Sequence, residues 1–230
     1  LPWNANYFEN HDQPRSVSRF GDDGTYWEKS AKLLCIMLLT LRGTPFIYQG
    51  QEIGMTNFDF TSMEELKDVE SHNIYGIAKR LGFPKSIRWR MIEATSRDNA
   101  RTPMQWNDGP YGGFSTVQPW IGVNSNYKTI NMAAQIGDPD SIRTMYKEMI
   151  ALRAGSVTLK EGIFEALQIS KEHFVYRRSH QGESLVVLLN FSSKAKEVRS
   201  AGTTVVISNY EREVYDGTLR PYEAVIIKES

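Results

Sequence analysis

The segment AKLLCIMLLTLRGTPFIYQG, residues 31–50, constrains the fold more than any other. Ala31, Leu34, Cys35, Leu38 and Leu39 recur at three- and four-residue spacing, which predicts a helix over 25–41. Arg42 and Gly43 supply a cationic last turn and a glycine stop. TPFIYQG, 44–50, then reads as a buried strand. A second aromatic, strand-like run, NYFEN, closes residues 1–10. Strand, helix and strand with short connections is the repeat of a parallel α/β fold. The apolar run 33–41 is about half of the roughly 18 residues that cross a bilayer, so it reads as a buried helix.

Residues 51–135 have a different texture: polar, glycine- and proline-bearing, with scattered aromatics. Two short helices are expected near 62–71 and 84–95. The remainder reads as a long ordered loop, the kind that in a compact domain usually serves function. Its Trp, Tyr, Asn and Arg content suits a polar, hydroxylated ligand; aromatics that anchor the loop are the alternative. GDPDSIRTMYKEMIALRAG, 137–155, predicts a helix capped by Asp138 or Asp140, with Gly155 past its end. From about Val157 onward HFVYRRS, ESLVVLLNFS, KEVRS, TTVVISN and YEAVIIKES predict an antiparallel all-β module. There is no internal repeat.

With 27 basic and 27 acidic residues the formal net charge is zero, so a global basic footprint for nucleic acid or anionic lipid is absent. The lone cysteine, Cys35, lies in the apolar helix and reads as core; one thiol forms no internal disulfide. The chain opens LPWNANYF, with neither an initiator methionine nor a signal-like segment. His11, His72, His173 and His180 have no ligand-like spacing, and neither a calcium loop nor a phosphate-cradling glycine loop is present. GESLV lacks the second glycine of a nucleophile elbow.

The chemistry concentrates in YFENHDQPRSVSRFG, 7–21, which places His11 and Asp12 where a parallel strand hands over to a loop. At that sheet edge a carboxylate can orient a ligand or stabilise a cation, and an imidazole can donate to a hydroxyl. A strand-end cap in which Asp12 pairs with Arg15 fits the spacing equally.

FENHDQPRSVSRFG resembles a conserved motif of the α-amylase family, glycoside hydrolase family thirteen. GTPFIYQGQEIGMTN resembles the motif on that family's eighth barrel strand. SRDNARTPMQWNDGPYGGFSTVQPWIGVNSNYKTIN is similar to its oligo-1,6-glucosidase, dextran glucosidase and α-glucosidase branch. The resemblance covers essentially the whole chain. It implies the C-terminal portion of a (β/α)8 barrel, about strands seven and eight with their helices, over 1–155. A small antiparallel β-sandwich domain follows over 156–230.

The implied activity is that of a retaining, exo-acting α-glucosidase on isomalto-oligosaccharides and other short α-glucans. In such an enzyme two carboxyl groups roughly 5 Å apart act as nucleophile and acid through an oxocarbenium-like transition state. Asp12 matches a third family carboxylate, which holds sugar hydroxyls and favours the cationic ring. His11 matches the histidine that bonds the same hydroxyls. Arg97 matches the arginine that grips the terminal glucose. Arg15, Glu52 and Glu70 match positions near the entrance and the leaving-group subsites. Arg101 reads as a structural arginine that pins its own loop. Gln51 stands where the branch often carries a glutamate.

The resemblance also implies that nucleophile and acid lie on earlier strands that this sequence does not include. No cofactor or metal ligand is expected in this segment; the family's calcium loop, where a member has one, belongs to that earlier half. The expected partners are an α-glucan oligosaccharide and the first half of the barrel, without nucleic acid or membrane. The 230-residue chain alone is expected to be inert, because two strands cannot close a barrel. The branch's habit and the lone cysteine suggest a cytoplasmic setting. Competing readings are a transglycosylating relative (a sucrose isomerase or trehalose synthase), a non-catalytic transporter subunit and a stand-alone carbohydrate-binding β domain.

Overall fold

The computed structural model describes residues 3–229. In chain order the elements are β1 (Ala5–Asn6), α1 (Ser16–Phe20), α2 (Trp27–Thr40), β2 (Thr44–Pro45), α3 (Val69–Arg80), α4 (Lys85–Glu93), α5 (Asp98–Arg101), α6 (Met132–Gln135), α7 (Ile142–Gly155) and α8 (Val157–Glu161). Seven strands follow: β3 (Ile163–Ile169), β4 (His173–His180), β5 (Glu183–Asn190), β6 (Lys196–Glu197), β7 (Thr204–Ser208), β8 (Thr218–Leu219) and β9 (Ala224–Lys228). They fall into two compact units, residues 3–7, 21–46 and 139–229 in one and residues 8–20 and 47–138 in the other.

In the first unit β1 and β2 pair in parallel, Ala5 opposite Thr44 and Asn6 opposite Pro45. The Thr44 amide donates to the Asn4 carbonyl and the Phe46 amide to that of Asn6, both at 2.8 Å. The ladder is shorter than the apolar runs suggested. Gly43 sits at φ 135°, and a Cβ there would meet the Asn4 carbonyl and the Asn6 amide, so the turn into β2 requires glycine. The α2 helix buries Leu33, Leu34, Cys35, Ile36, Leu38 and Leu39. Its entry is fixed by Asp22 Oδ1, which accepts from the amides of Gly24 and Tyr26, each at 3.0 Å.

The expected cap of α7 is corrected: Ser141, not Asp138 or Asp140, caps it, its Oγ accepting from the Thr144 amide at 3.1 Å. Gly155 lies in the last helical turn rather than beyond it.

The β module is a five-stranded antiparallel sheet in the order β3-β4-β5-β9-β7 with a separate β6-β8 ribbon. Strand β5 is buried along most of its length, which explains its unbroken apolar run. One face of the sheet packs Val186, Leu188, Val225 and Ile227 against Val198, Tyr215 and Leu219. The α2 helix contacts β5 and β9. Two buried arginines close the end of α2. Arg153 donates to the carbonyls of Leu39, Leu41, Gly43 and Leu159, and Arg178 to those of Thr40 and Gly162.

In the second unit the first expected helix lies later than the sequence suggested, at 69–80 rather than 62–71. The reason is Asp68, whose Oδ1 accepts from the Glu70 amide at 3.2 Å and whose Oδ2 accepts from Ser71 Oγ at 2.8 Å. That is an N-cap the residues near Ser62 do not make. The long segment is held by small cores, Ile53, Met55 and Met104 in one and Phe60, Leu66 and Ile121 in the other. Side-chain amides complete it: Asn124 Nδ2 donates to the Asn57 carbonyl at 2.8 Å and Gln135 Nε2 to that of Ile53 at 2.9 Å. Among the described residues no helix is long and apolar enough to cross a membrane.

Candidate active site

His11, Asp12, Arg15, Glu52, Glu70, Arg97 and Arg101 all lie in the second unit. Asp12 follows a turn in which its amide donates to Asn10 Oδ1 at 2.8 Å. Its carboxylate remains 43% exposed. Oδ2 lies 3.1 Å from His11 Nε2. Oδ1 accepts from Arg101 Nη2 at 2.9 Å and lies 3.7 Å from Arg97 Nη1. One carboxylate therefore meets an imidazole and two guanidiniums. It opens onto a cavity of about 570 Å³ lined also by Asn57, Asp68, Glu70, Ile74 and Arg97.

Arg97 is 31% exposed and divides its donors. Nε donates to Asp68 Oδ1 at 2.9 Å, and Nη2 donates to the same oxygen. Nε also lies 3.5 Å from the exposed carboxylate of Glu70. Burial pushes the Asp68 carboxyl up, but the Arg97 bonds, the Ser71 hydroxyl and the Glu70 amide outweigh it and hold it at about 2. Asp68 thus stays ionised and fixes the guanidinium over the cavity.

Two expectations about arginines change. Arg15, placed by the sequence at the entrance, is 0% exposed. It forms an ion pair with Glu9 at 3.2 Å, donates to the Gln49 carbonyl at 2.7 Å and lies over the Tyr48 ring. The strand-end pairing of Arg15 with Asp12 is likewise replaced by Arg15 with Glu9. The cause is a second demand on Glu9: its Oε1 accepts from both the amide and the hydroxyl of Ser16, which draws the carboxylate inward with Arg15 behind it. Arg101 does not pin its own loop alone. Its Nε donates to the His11 carbonyl at 3.1 Å, so it bridges to the other end of the unit.

Glu52 stands in a short 3-10 turn, 51–53, away from the Asp12 cavity lining. Burial raises its carboxyl, opposed by the amides of Glu52 and Gly50 and by the Arg15 charge. Its Oε2 has no hydrogen-bond partner among the described residues. Glu9, Asp68 and Asp98 went unrecognised in the sequence. ENHD and RDNAR bracket two of them, but nothing in those letters tells an inward carboxylate from an exposed one. Among the described residues no three metal-ligating side chains converge.

The structure thus brings a turn carboxylate, its neighbouring imidazole and two arginines together beside one open cavity. The α-amylase catalytic-domain model matches residues 2–162, and the chain belongs to that family. It is 44% identical to an oligo-1,6-glucosidase of Halalkalibacterium halodurans, over 97% of this chain and 42% of that protein. It is 40% identical to a trehalose-6-phosphate hydrolase of Escherichia coli, over 98% and 42%. Among solved structures, isomaltulose synthase of a Klebsiella species superposes with a TM-score of 0.94 at 35% identity, covering 98% of this chain and 43% of that one. The chain therefore spans under half the length of the relatives it matches, consistent with a partial barrel.

Proposed function

We propose that the chain is the C-terminal portion of a retaining, exo-acting α-glucosidase that hydrolyses short α-glucans such as isomalto-oligosaccharides. In this reading β1 and β2 are about strands seven and eight of the barrel. Residues 1–155 belong to it, and 156–230 form a β-sandwich domain. The rest of the barrel supplies nucleophile and general acid, and the 230-residue chain alone turns nothing over. The branch's habit and the single cysteine favour a cytoplasmic setting.

The observation that carries the reading is the half-exposed Asp12 carboxylate facing the 570 Å³ cavity beside His11 and Arg97. An oxocarbenium-like sugar develops positive charge as its bond breaks. An ionised carboxylate fixed beforehand beside that charge stabilises the transition state without reorganising. Asp12 exchanges no proton in this role. His11 Nε2 and Asp12 Oδ2, 3.1 Å apart, suit two adjacent sugar hydroxyls. Arg97 Nη1 closes the end of the pocket, and Glu70 flanks it.

Asp12→Asn in the natural protein carrying this chain should lower kcat on isomaltose by about 10²–10³-fold with an unchanged melting temperature. Undiminished hydrolysis by that variant would sink the reading. A transglycosylating relative is favoured by one observation, the superposition on isomaltulose synthase. Products from sucrose separate the two: a new disaccharide supports isomerisation, whereas free glucose from isomaltose supports hydrolysis.

A further inference from the structure

The geometry points to Asp98 as the positioning residue that aims both Arg97 and Arg101 at Asp12. The inference rests on the reading of Asp12 given above. Asp98 lies between the two arginines in sequence, yet its side chain is 0% exposed while theirs reach the surface. Its two oxygens have separate tasks. Oδ2 accepts from the backbone amides of Lys67 at 2.6 Å and Asp68 at 2.8 Å. Oδ1 accepts from Arg101 Nη1 at 3.4 Å.

The first task fixes the backbone of Asp68, whose own carboxylate holds Arg97. The second leaves Arg101 with Nε on the His11 carbonyl and Nη2 on Asp12 Oδ1. One buried carboxylate thus organises the cations on both sides of Asp12, directly for Arg101 and through Asp68 for Arg97. The Asp98 amide donates to Ser96 Oγ at 3.3 Å, and Ser96 Oγ accepts from Ser71 Oγ at 3.0 Å. The anchor is therefore braced through Ser96 to Ser71, itself a residue of the cavity lining. A carboxylate that accepts from two amides and a guanidinium at once holds all three in a fixed relation.

Asp98→Asn separates the tasks. Its amide oxygen can still accept from Lys67 and Asp68, while its NH₂ turns towards Arg101 as a donor facing a donor. The expected result in the natural protein is a fall in kcat of about 100-fold with KM within a few-fold, the signature of a group misplaced only in the transition state. Arg101→Lys leaves the Asp98 contacts to backbone intact and should reproduce the loss, and the double variant should be no worse than either alone. In ¹⁵N spectra of the natural protein carrying this chain, Asp98→Asn should broaden the Arg101 Nε–H signal and spare that of Arg97, whereas Asp98→Ala should broaden both. Wild-type kcat in Asp98→Asn and Arg101→Lys, with Asp12→Asn inactive, would overturn the inference alone. Full activity of Asp12→Asn would overturn the reading of Asp12, and the arginine signals would then decide the positioning. A sharp Arg101 signal in Asp98→Asn overturns it.

Discussion

Arg97 and Asp68 form a two-donor ion pair on a single oxygen: Nε donates to Asp68 Oδ1 at 2.9 Å and Nη2 donates to the same atom. The pair makes stability depend on acidity. The Asp68 carboxyl is held at about 2, below its ordinary 3.8. A depressed folded-state value contributes stability that is fully present above about 3.8 and is lost as pH falls through about 2. The contribution is about 2 kcal/mol. Urea midpoints should fall between pH 4.5 and pH 2, and Asp68→Asn should flatten that dependence. An unchanged slope in the variant would show that other carboxylates cause it.

The buried Arg15–Glu9 pair should be far more sensitive to single than to double replacement. Neither side chain reaches water, and each leaves an uncompensated charge if the other is removed. Arg15→Met should cost about 3–5 kcal/mol in urea unfolding. Combining it with Glu9→Leu should recover part of that loss, although Ser16 would still lack its acceptor. Equal destabilisation in single and double variants would contradict this account.

Gly50→Ala should destabilise by more than about 1 kcal/mol, because the residue sits at φ 86°. A Cβ there also runs into the Met55 side chain and lies 3.1 Å from Arg15 Nη1. The control is Gly82→Ala, which has positive φ but open space around the added carbon. Thermal melts should show the larger loss at position 50.

Arg153 should not be replaceable by lysine. Its guanidinium serves the carbonyls of Leu39, Leu41, Gly43 and Leu159, and burial lowers its pKa. An ammonium cannot span that set with a fixed fork. Arg153→Lys should cost about 2 kcal/mol and Arg153→Met more, as carbonyls lose their donors. Denaturant midpoints check both.

How much was legible in advance depends on the range of the interactions. Helix α2 and strands β4, β5 and β9 follow from local apolar runs, and they appear where the sequence placed them. Strand β3 escaped notice because IFEALQI is largely exposed, so no burial pattern marks it. The α3 helix was misplaced because Asp68 competes as a cap with several serines and threonines before it. Asp12 and His11 stood out by motif, and so did Arg97. The contact of Arg101 with Asp12 spans 89 residues, and the inward turn of Arg15 depends on Glu9 and Ser16 together. Neither is encoded in spacing. The first depends on a loop far along the chain and the second on several partners competing for one carboxylate.

The two arginines at the end of α2 also set a rule of length. Arg153 reaches carbonyls at 39, 41 and 43, and Arg178 reaches the one at 40. Four of the five residues from 39 to 43 are thereby held against fixed posts, with glycine as the sole residue type the turn at 43 admits. One residue added or deleted between Leu41 and Thr44 would draw the Gly43 carbonyl off Arg153 while those of Leu39, Thr40 and Leu41 stay in place. The β4–β5 hairpin ends in a two-residue turn, Gln181–Gly182, whose neighbourhood is open. Lineages of this chain should therefore accumulate insertions at the hairpin and none at the helix end.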